Sequence, residues 1–514
     1  MKNYLNRTTP VLALVFFISI QINSYGQITQ DYLQFSQFDP VGSARIQSMG
    51  GAFHALGGGV SSLHLNPASS AVNLTSKIDF GLTVGGRKTT SNFSENERNS
   101  NDNFLDIGHA GGILVAEQID QNNPWRKIAF GFSMATLKNF DQSVLASGNT
   151  EFGLSQYFSD RAQGTALSQL QLASGETLGS VYAYLGNNLG RGAQLGLLAY
   201  QAYLIDPQND NENNINYVSA VDDLRNQKTF QELGGSMRQF NFNISAQYGD
   251  DLFLGLNINS HVLRYTRSNV VSENGVATES PLQGLTYQSF ERSDGEGFSM
   301  QLGAIYTPGD HWRMSLSYDS PTWWLITEES VESLSSSLLI DQGLENYIMD
   351  PEIRNYFEPY RLRTPGQWNV GLAYIFGPQG LITASLSHKD YSSGAFNNDG
   401  SEFFESANNT IESIYDQSIS AKFGGEYRYG RWRLRAGYWL QTQSLNDSNS
   451  TASSNLDDNS GYSYGLGFYG GDWTIDFGMI NTTLNSSTAL YQEQNRFTST
   501  LTNQSFILSF GVDL

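Results

Sequence analysis

The chain has 514 residues, of which 39% are hydrophobic, 13% aromatic and only 15% charged. The absence of cysteine excludes disulfide frameworks, thiolate metal sites, thiol nucleophiles and lipidation of an N-terminal cysteine. Because soluble domains usually carry about 25% charged residues, this composition does not fit an enzyme with a charge-covered surface. The formal net charge of −21 disfavours nucleic acid as a partner, since phosphate binding needs an excess of Lys and Arg.

Residues 1–26 have the organisation of a secretory signal peptide. Two basic residues precede an apolar run from Val11 to Ile20, and Ser24-Tyr25-Gly26 places small residues where a signal peptidase reads. The run is too short to span a bilayer comfortably, so we expect cleavage before Gln27; a retained anchor is the alternative. No later apolar run is long enough for a transmembrane helix, which leaves an exported soluble protein or a membrane β-barrel.

Residues 27–76 are rich in glycine and show no regular alternation of apolar and polar residues. The tripeptide Asn66-Pro67-Ala68 favours a rigid turn, because the residue before proline adopts extended geometry and the Asn side chain can bond local backbone. An ordinary structural turn is the alternative. Gly50 and Gly51 would allow close backbone packing, or form part of a flexible linker.

From residue 77 onward, apolar and polar residues alternate in segments of about ten residues, which is typical of strands that face lipid on one side and a lumen on the other. Fourteen segments show this alternation, and closure of a barrel requires an even number. They are Lys77–Gly86, His109–Glu117, Lys127–Leu137, Phe240–Tyr248, Leu252–Ile258, Phe298–Tyr306, Trp312–Tyr318, Trp368–Tyr374, Ile382–Leu386, Ile419–Tyr427, Trp432–Leu440, Tyr462–Phe468, Trp473–Met479 and Phe506–Leu514. The sequence therefore predicts an all-β fold, a transmembrane antiparallel β-barrel over residues 77–514.

The connections between these segments alternate between short and long. Tight turns occur at 249–251, 307–310, 376–380, 430–431 and 470–472. Long polar loops occur at 267–297, 320–366 and 442–460. Four tryptophans directly follow a short turn, as an interfacial aromatic girdle requires: Trp125, Trp312, Trp432 and Trp473. This asymmetry predicts short turns in the periplasm and long loops outside the cell.

Residues 140–238 interrupt the alternation. Helix-like stretches occur within 155–192, whereas 178–204 is compatible with helix or strand on periodicity alone. We interpret 140–238 as an extracellular insertion with short helices. In the alternative, residues 178–204 form one more hairpin and the barrel has 16 strands.

Residues that alternate with the lipid-facing set point into the lumen. The charged ones are Arg313, Lys422, Glu426, Arg428, Arg433 and Arg435. A two-residue turn at 430–431 would place Arg428 opposite Arg433 and Glu426 opposite Arg435. We expect the surplus cations to pair with carboxylates of the N-terminal segment such as Asp31 and Asp39; the carboxylate of a ligand is the alternative. Apolar side chains that would line a ligand site are Phe53, Leu56, Leu63, Leu65, Phe253, Ile305, Ile375 and Trp439.

The sequence offers little for catalysis. The six histidines are dispersed, and no nucleophile elbow or phosphate loop is present. His54 and His64 are the only two that lie close together, and we expect no metal site, no cofactor and no enzymatic activity.

The glycine-rich stretch 43–59, followed by Asn66-Pro67-Ala68 just ahead of the first strand, resembles the FadL family of outer-membrane channels for long-chain fatty acids and other hydrophobic compounds. Ser315–Pro321 resembles a second family segment, and the similarity extends over most of the chain apart from 140–238. The resemblance implies a 14-stranded barrel whose residues 27–76 fold inside the lumen as a hatch. It also implies gating around Asn66-Pro67-Ala68, with Gly50 and Gly51, and lateral exit through an opening beside a kinked strand.

The resemblance implies passive uptake of hydrophobic small molecules across the outer membrane of a diderm bacterium. Expected partners are the hydrophobic ligand, outer-membrane lipid and, during biogenesis, the barrel-assembly machinery, and the barrel is expected to be monomeric. The alternative is a surface adhesin or assembly partner that does not transport. A closed internal pocket would favour transport, and a solidly packed lumen would favour the adhesin.

Overall fold

The computed structural model describes residues 25–117, 123–220, 225–275, 281–340, 343–397, 402–446, 457–489, 491 and 496–514. The signal peptide predicted over residues 1–26 lies almost wholly outside the described residues. None of the described helices is both long and apolar enough to cross a membrane.

The described residues form seven α-helices, four short 3₁₀ helices and twenty-two strands. The α-helices are α1 (Tyr25–Ser36), α2 (Ala44–Gln47), α3 (Leu154–Ala162), α4 (Leu167–Leu170), α5 (Leu178–Asn188), α6 (Arg191–Gln201) and α7 (Glu402–Ile414), and the 3₁₀ helices are Val60–His64, Pro67–Val72, Gly377–Gln379 and Tyr391–Ser393. The strands are β1 (Lys77–Phe93), β2 (Asn96–Glu117), β3 (Trp125–Asn139), β4 (Gln142–Thr150), β5 (Ile205–Pro207), β6 (Tyr217–Ser219), β7 (Arg225–Tyr248), β8 (Leu252–Gly275), β9 (Leu282–Tyr306), β10 (Trp312–Asp319), β11 (Trp323–Ile340), β12 (Gly343–Met349), β13 (Arg354–Tyr356), β14 (Tyr360–Arg363), β15 (Gln367–Ile375), β16 (Gly380–Asp390), β17 (Ala395–Asn397), β18 (Gln417–Tyr429), β19 (Trp432–Gln441), β20 (Asn459–Tyr469), β21 (Trp473–Ala489) and β22 (Arg496–Asp513).

Antiparallel ladders join all of these strands except β5 and β6 into a closed barrel with fourteen strand positions around its circumference, and β5 and β6 form a separate two-stranded sheet. Several positions consist of consecutive segments, such as β3 with β4, β10 with β11 and β12 to β15. The ring closes where β1 pairs with β22, from Lys77 opposite Asp513 to Asn92 opposite Thr498. The prediction of 14 strands is confirmed, and the alternative of 16 is wrong.

The outer face of the barrel carries a belt of exposed apolar side chains. On β1, Ile78, Phe80, Leu82 and Val84 are each more than a third exposed. Each of the four tryptophans predicted for the girdle is the first residue of a strand. These side chains are also exposed, at 38 to 47%. An apolar belt of this size is stable only in lipid, so the fold is that of a transmembrane β-barrel.

The predicted insertion at 140–238 is too wide. β4 and the first half of β7 pair with each other from Gln142 opposite Leu233 to Thr150 opposite Arg225, so both belong to the wall. The described part of the true insertion is 151–220. Residues 178–204 form α5 and α6, and the alternative of an additional hairpin there is therefore wrong.

The insertion has a hydrophobic core of its own. Leu154, Phe158 and Tyr182 are fully buried in it, and the wall contributes Tyr287 and Leu334. The helices are thus fixed to the inner side of β9 and β11, at the end of the barrel opposite the short turns, which we call the long-loop end.

Candidate functional site

The N-terminal segment, residues 27–76, lies inside the barrel. From Ala44 to Ala71 nearly every residue is buried, and the neighbours are inward-facing residues of the wall. α2 contacts β20 to β22, whereas the 3₁₀ helix Pro67–Val72 contacts β7, β8 and β9. The segment therefore touches opposite sides of the wall and fills the lumen near the short-turn end.

Asn66-Pro67-Ala68 forms a turn that is bonded both to itself and to the wall. The Asn66 side chain accepts a hydrogen bond from the Ala68 backbone N–H (3.0 Å), with proline at the first helical position. Its Nδ2 donates to the carbonyls of His54 and Ala304, each at 3.2 Å. From the wall, Asn243 Nδ2 donates to the Pro67 carbonyl (2.8 Å).

Two inward-facing glycines make room for this turn. Gly255 on β8 lies opposite Gly303 on β9. A Cβ at Gly303 would overlap Asn66 Oδ1 and lie 2.7 Å from Pro67 Cδ, and a Cβ at Gly255 would overlap the Pro67 carbonyl group. No ordinary side chain fits at either position, so the wall is shaped to the tripeptide.

The Gly50-Gly51 pair is held in the same way on the other side of the lumen. Both residues have left-handed φ values, +66° and +72°, and both donate back to the end of α2. The wall again offers facing glycines, Gly424 and Gly437, and a Cβ at Gly437 would overlap Gly50 N. Close backbone packing, and not a flexible linker, explains these glycines.

Glu426 is the main charged anchor between segment and wall. It accepts hydrogen bonds from Arg45 Nε (3.0 Å), Arg435 Nε (2.8 Å) and Arg428 Nε (2.9 Å). Arg435 also bonds Asp476 at 2.6 Å. The predicted register, with Glu426 opposite Arg435 and Arg428 opposite Arg433, is confirmed.

The expectation that Asp31 and Asp39 pair with this arginine cluster is wrong. Asp31 pairs with Arg267 of β8 at 3.0 Å, and Asp39 lies 3.6 Å from Arg87 of β1. The segment supplies an arginine to Glu426 instead, because α2 and not α1 reaches the short-turn end. Burial raises the pKa of Asp31 to about 7, against the opposing effect of Arg267.

Other wall cations bond the backbone of the segment. Lys127 Nζ donates to the Asn73 carbonyl (2.8 Å), Lys138 Nζ to the Gln34 carbonyl (3.1 Å) and Lys389 Nζ to the Ser36 carbonyl (2.6 Å). The predicted lumen cation Arg313 donates to the Leu56 carbonyl. These bonds satisfy backbone groups that would otherwise be buried without partners.

A central cavity of about 210 Å³ lies above Gly50 and Gly51, between the segment and the wall. Its lining combines aromatic and apolar groups, among them Phe38, Leu65 and Trp439, with polar ones. Lys422 also lines it, and among the described residues the Lys422 ammonium has no hydrogen-bond or ion-pair partner. The cavity carboxylate of Asp319 is bonded to Gln301 Nε2 (2.8 Å) and Asn369 Nδ2 (3.1 Å).

Of the eight apolar residues predicted to line a ligand site, Leu65 and Trp439 border the central cavity. The others pack between segment and wall in separate clusters: Phe53, Leu56 and Ile375 in one, Leu63 in a second, and Phe253 and Ile305 in a third. The ligand-lining role of all eight stays a prediction.

His54 and His64 also border the cavity but do not converge on a shared site. His64 Nε2 lies 3.1 Å from Ser133 Oγ, and its Nδ1 lies 3.4 Å from Gln239 Oε1. Burial lowers the pKa of His54 to about 3 and that of His64 to about 4, so both are neutral near pH 7. Among the described residues, no three His, Asp or Glu side chains form a group suited to a metal ion.

The ladder between β2 and β3 is incomplete. β2 pairs with β1 along its length, but with β3 only from His109 to Glu117. Within the described residues, positions 96–108 of β2 have no backbone ladder on that side. Side chains close the edge instead, as where Thr136 Oγ1 donates to the Ile107 carbonyl (3.0 Å). Sequence reasoning did not locate this seam, because β2 was recognised only from His109 onward.

A closed 14-stranded antiparallel barrel with an apolar outer belt and its own N-terminal segment in the lumen defines a plugged transmembrane β-barrel. The structure is similar to the crystal structure of a Pseudomonas aeruginosa FadL homologue (TM-score 0.53, 12% identity, covering 93% of this chain and 99% of that chain). It is also similar to the P. putida toluene transporter TodX (TM-score 0.50, 13% identity, covering 92% and 99%). No family model and no curated protein matches the chain in sequence. At these identities the likeness shows a shared fold, and the sequence resemblance to FadL channels is confirmed at that level.

Proposed function

We propose that this protein is a passive outer-membrane channel for hydrophobic small molecules, long-chain fatty acids among them, and that the N-terminal segment is its gate. The observation that carries the proposal is the central cavity, which lies between segment and wall and is lined by both aromatic and basic side chains. The similar P. putida structure is that of a toluene transporter, which supports a hydrophobic ligand. A cavity inside the lumen also counts against the adhesin, for which a solidly packed lumen was expected.

The cavity is suited to an amphiphile with a carboxylate head. Leu65 and Trp439 offer apolar surface for a chain, and Lys422 offers an ammonium that has no hydrogen-bond or ion-pair partner among the described residues. The Lys422 side chain is half-buried, and the cavity carboxylate of Asp319 is bonded to two side-chain amides, so a ligand carboxylate would give the ammonium a direct charge-assisted partner. The segment reaches the cavity through Gly50, Gly51 and Leu65, so displacement of the segment would open it.

The β2–β3 seam supports lateral exit. Leu105 and Ile107 of β2 face outward within the apolar belt, 70% and 41% exposed, and neither has a ladder partner on β3. Behind them lies a small cavity of about 50 Å³, lined by Gly108, Thr136 and Val41. Val41 borders the central cavity as well, so a shift of this part of the segment would connect the two. Asn66-Pro67-Ala68 itself contacts β7 to β9, on a different part of the wall.

In this proposal the short turns face the periplasm and the insertion faces the exterior of a diderm bacterium. The barrel acts as a monomer, contacts outer-membrane lipid and is inserted by the barrel-assembly machinery. Transport needs no ATP, since the sequence has no nucleotide-binding motif.

The test is uptake of radiolabelled oleate, toluene and glucose by cells that depend on this barrel. We expect saturable uptake of oleate and toluene and none of glucose. Lys422→Gln should raise the oleate concentration that gives half-maximal uptake about tenfold, because a charge-assisted bond is lost. The corresponding toluene concentration should stay unchanged.

The matched control is Lys88→Gln, because Lys88 is exposed near the long-loop end of β1, away from the cavity. Absence of saturable oleate and toluene uptake would contradict the channel function. Equal effects of the two variants on oleate would contradict the role of Lys422.

A further inference from the structure

A second cavity, of about 320 Å³, lies at the short-turn end between the N-terminal segment and the wall. Four arginines line one side of it: Arg45, Arg428, Arg433 and Arg435. The only carboxylates beside them among the described lining residues are Glu426 and Asp476. This side therefore has two more positive charges than negative ones.

The two carboxylates on the opposite side of the cavity have partners of their own. Lys77 pairs with Asp513 at 2.6 Å, and Asp79 Oδ1 lies 3.1 Å from His109 Nε2. Neither carboxylate is paired with the arginine cluster in the described structure.

Glu426 has no capacity left for another arginine. It already accepts four hydrogen bonds, two from Arg45 and one each from Arg428 and Arg435. A carboxylate offers about four lone-pair positions, so these bonds saturate it. The terminal nitrogens of Arg428 consequently donate to no acceptor among the described residues.

Arg433 has no carboxylate partner in the described part of the chain. Its Nη1 donates only to the backbone carbonyls of Gly430 (2.7 Å) and Trp432 (3.0 Å), in its own turn. It lies directly opposite Arg428 in the ladder, and like charges at facing positions destabilise a strand pair. Anchoring of the segment does not explain this pair, since Arg45 and Arg435 already provide it.

We propose that this cavity is an oxyanion site in which Arg428 and Arg433 bind a phosphate or carboxylate group. Facing guanidinium groups suit such anions because each can donate two parallel hydrogen bonds. The apolar ring of Phe53 also lines the cavity, and Arg45 stacks over it at 5.2 Å. The site accordingly takes either a free anion or the head group of a lipid. It is separate from the central cavity and does not depend on transport.

The experiment measures the thermal unfolding midpoint of the full chain in a neutral detergent, with inorganic phosphate titrated at constant ionic strength. We expect a saturable rise in the midpoint for the wild type. Arg433→Gln should abolish that rise or increase the phosphate concentration at half-saturation by at least about tenfold. In phosphate-free buffer the same variant should be at least as stable as the wild type, because a like-charge pair has been removed.

Arg431→Gln is the matched control, since Arg431 lies in the same turn but does not line the cavity. It should retain the full response. Arg428→Gln serves as an independent second variant with the same expected loss. An absent response in the wild type, or equal responses in the wild type and both cavity variants, would overturn the site.

A parallel titration with dodecyl phosphate distinguishes the source of the anion. Half-saturation at a concentration at least tenfold below that of inorganic phosphate supports a lipid head group. Equal half-saturation supports a free anion. A dodecyl phosphate response that persists in Arg433→Gln and Arg428→Gln contradicts the site for either source.

Discussion

At the scale of single residues, the wall glycines explain how a polypeptide segment fits inside the barrel. Asn66-Pro67-Ala68 was recognisable in the sequence as a turn, because proline and the capping amide act locally. Its partners Gly255 and Gly303 were not recognisable, since an inward glycine in a strand resembles any other until the register is known. The pairing of Arg45 with Glu426 was hidden for the same reason, as 381 positions separate the two residues.

Substitution of Gly303 tests this fit. Gly303→Ala places a methyl group onto Asn66 Oδ1. We expect the resulting overpacking to lower the free energy of unfolding by about 1–3 kcal/mol. The measurement is the thermal midpoint in detergent, together with protease sensitivity of the N-terminal segment.

Gly425→Ala is the control for Gly303→Ala, because a Cβ at Gly425 would meet its nearest neighbour at 3.6 Å. It should change stability by no more than about 0.5 kcal/mol. If the protease cleaved the N-terminal segment no faster in Gly303→Ala than in Gly425→Ala, the tight fit would be refuted.

At the scale of elements, α1 joins the segment to the insertion through a chain of charges. Asp31 of α1 bonds Arg267, which also bonds Glu291. Glu291 bonds Arg191 of α6 at 3.1 Å, and Arg191 Nε donates to Glu332 at 2.7 Å. This network contains three carboxylates and two arginines, so it has one more negative charge than positive charges.

The burial of Asp31 in this network predicts pH-dependent docking of α1. The pKa of Asp31 is raised to about 7 by burial first, with Glu328 and Glu291 acting in the same direction and Arg267 opposing them. A carboxyl group whose pKa is raised on docking binds its proton more tightly when docked. Docking is therefore strongest below the ordinary Asp pKa and weakens as the pH rises through about 7.

Hydrogen exchange of residues 31–36 from pH 5.5 to 8.5 measures this effect. Exchange corrected for its intrinsic pH dependence should increase through about pH 7 in the wild type. In Asp31→Asn the increase should disappear, because the group that titrates is gone. A wild-type protection factor that is constant over this range would disprove the prediction.

The elements missed in the sequence are those that project beyond the lipid. β4 and the first half of β7 carry no alternating apolar face, since lipid imposes that pattern only within the membrane. Their inward residues, such as Arg225 and Gln227, are polar and buried. Helix-like periodicity did identify the insertion, because its core depends on local side-chain spacing.

At the scale of the whole molecule, the strand count of the barrel could be predicted from the sequence, whereas the uneven distribution of charge could not. The strand count followed from the alternation imposed by lipid, which acts on every strand independently. The net charge of −21 contrasts with the arginine excess at the short-turn end. That local excess depends on which strands are neighbours, so composition alone did not reveal it.

The central claim is that the N-terminal segment must move for a ligand to pass. Ser70 of the segment and Ser245 of β7 have their hydroxyl oxygens in hydrogen-bonding contact. Because the chain has no cysteine, the double variant Ser70→Cys with Ser245→Cys introduces a single possible disulfide next to Asn66-Pro67-Ala68.

The decisive measurement is oleate uptake by this double variant before and after reduction, with Ser70→Cys alone as the control. The account predicts that oxidation blocks uptake in the double variant only, and that reduction restores it to the rate of the control. Equal uptake by the oxidised and reduced double variant, with the disulfide verified, would contradict a gate that requires movement of the segment next to Asn66-Pro67-Ala68.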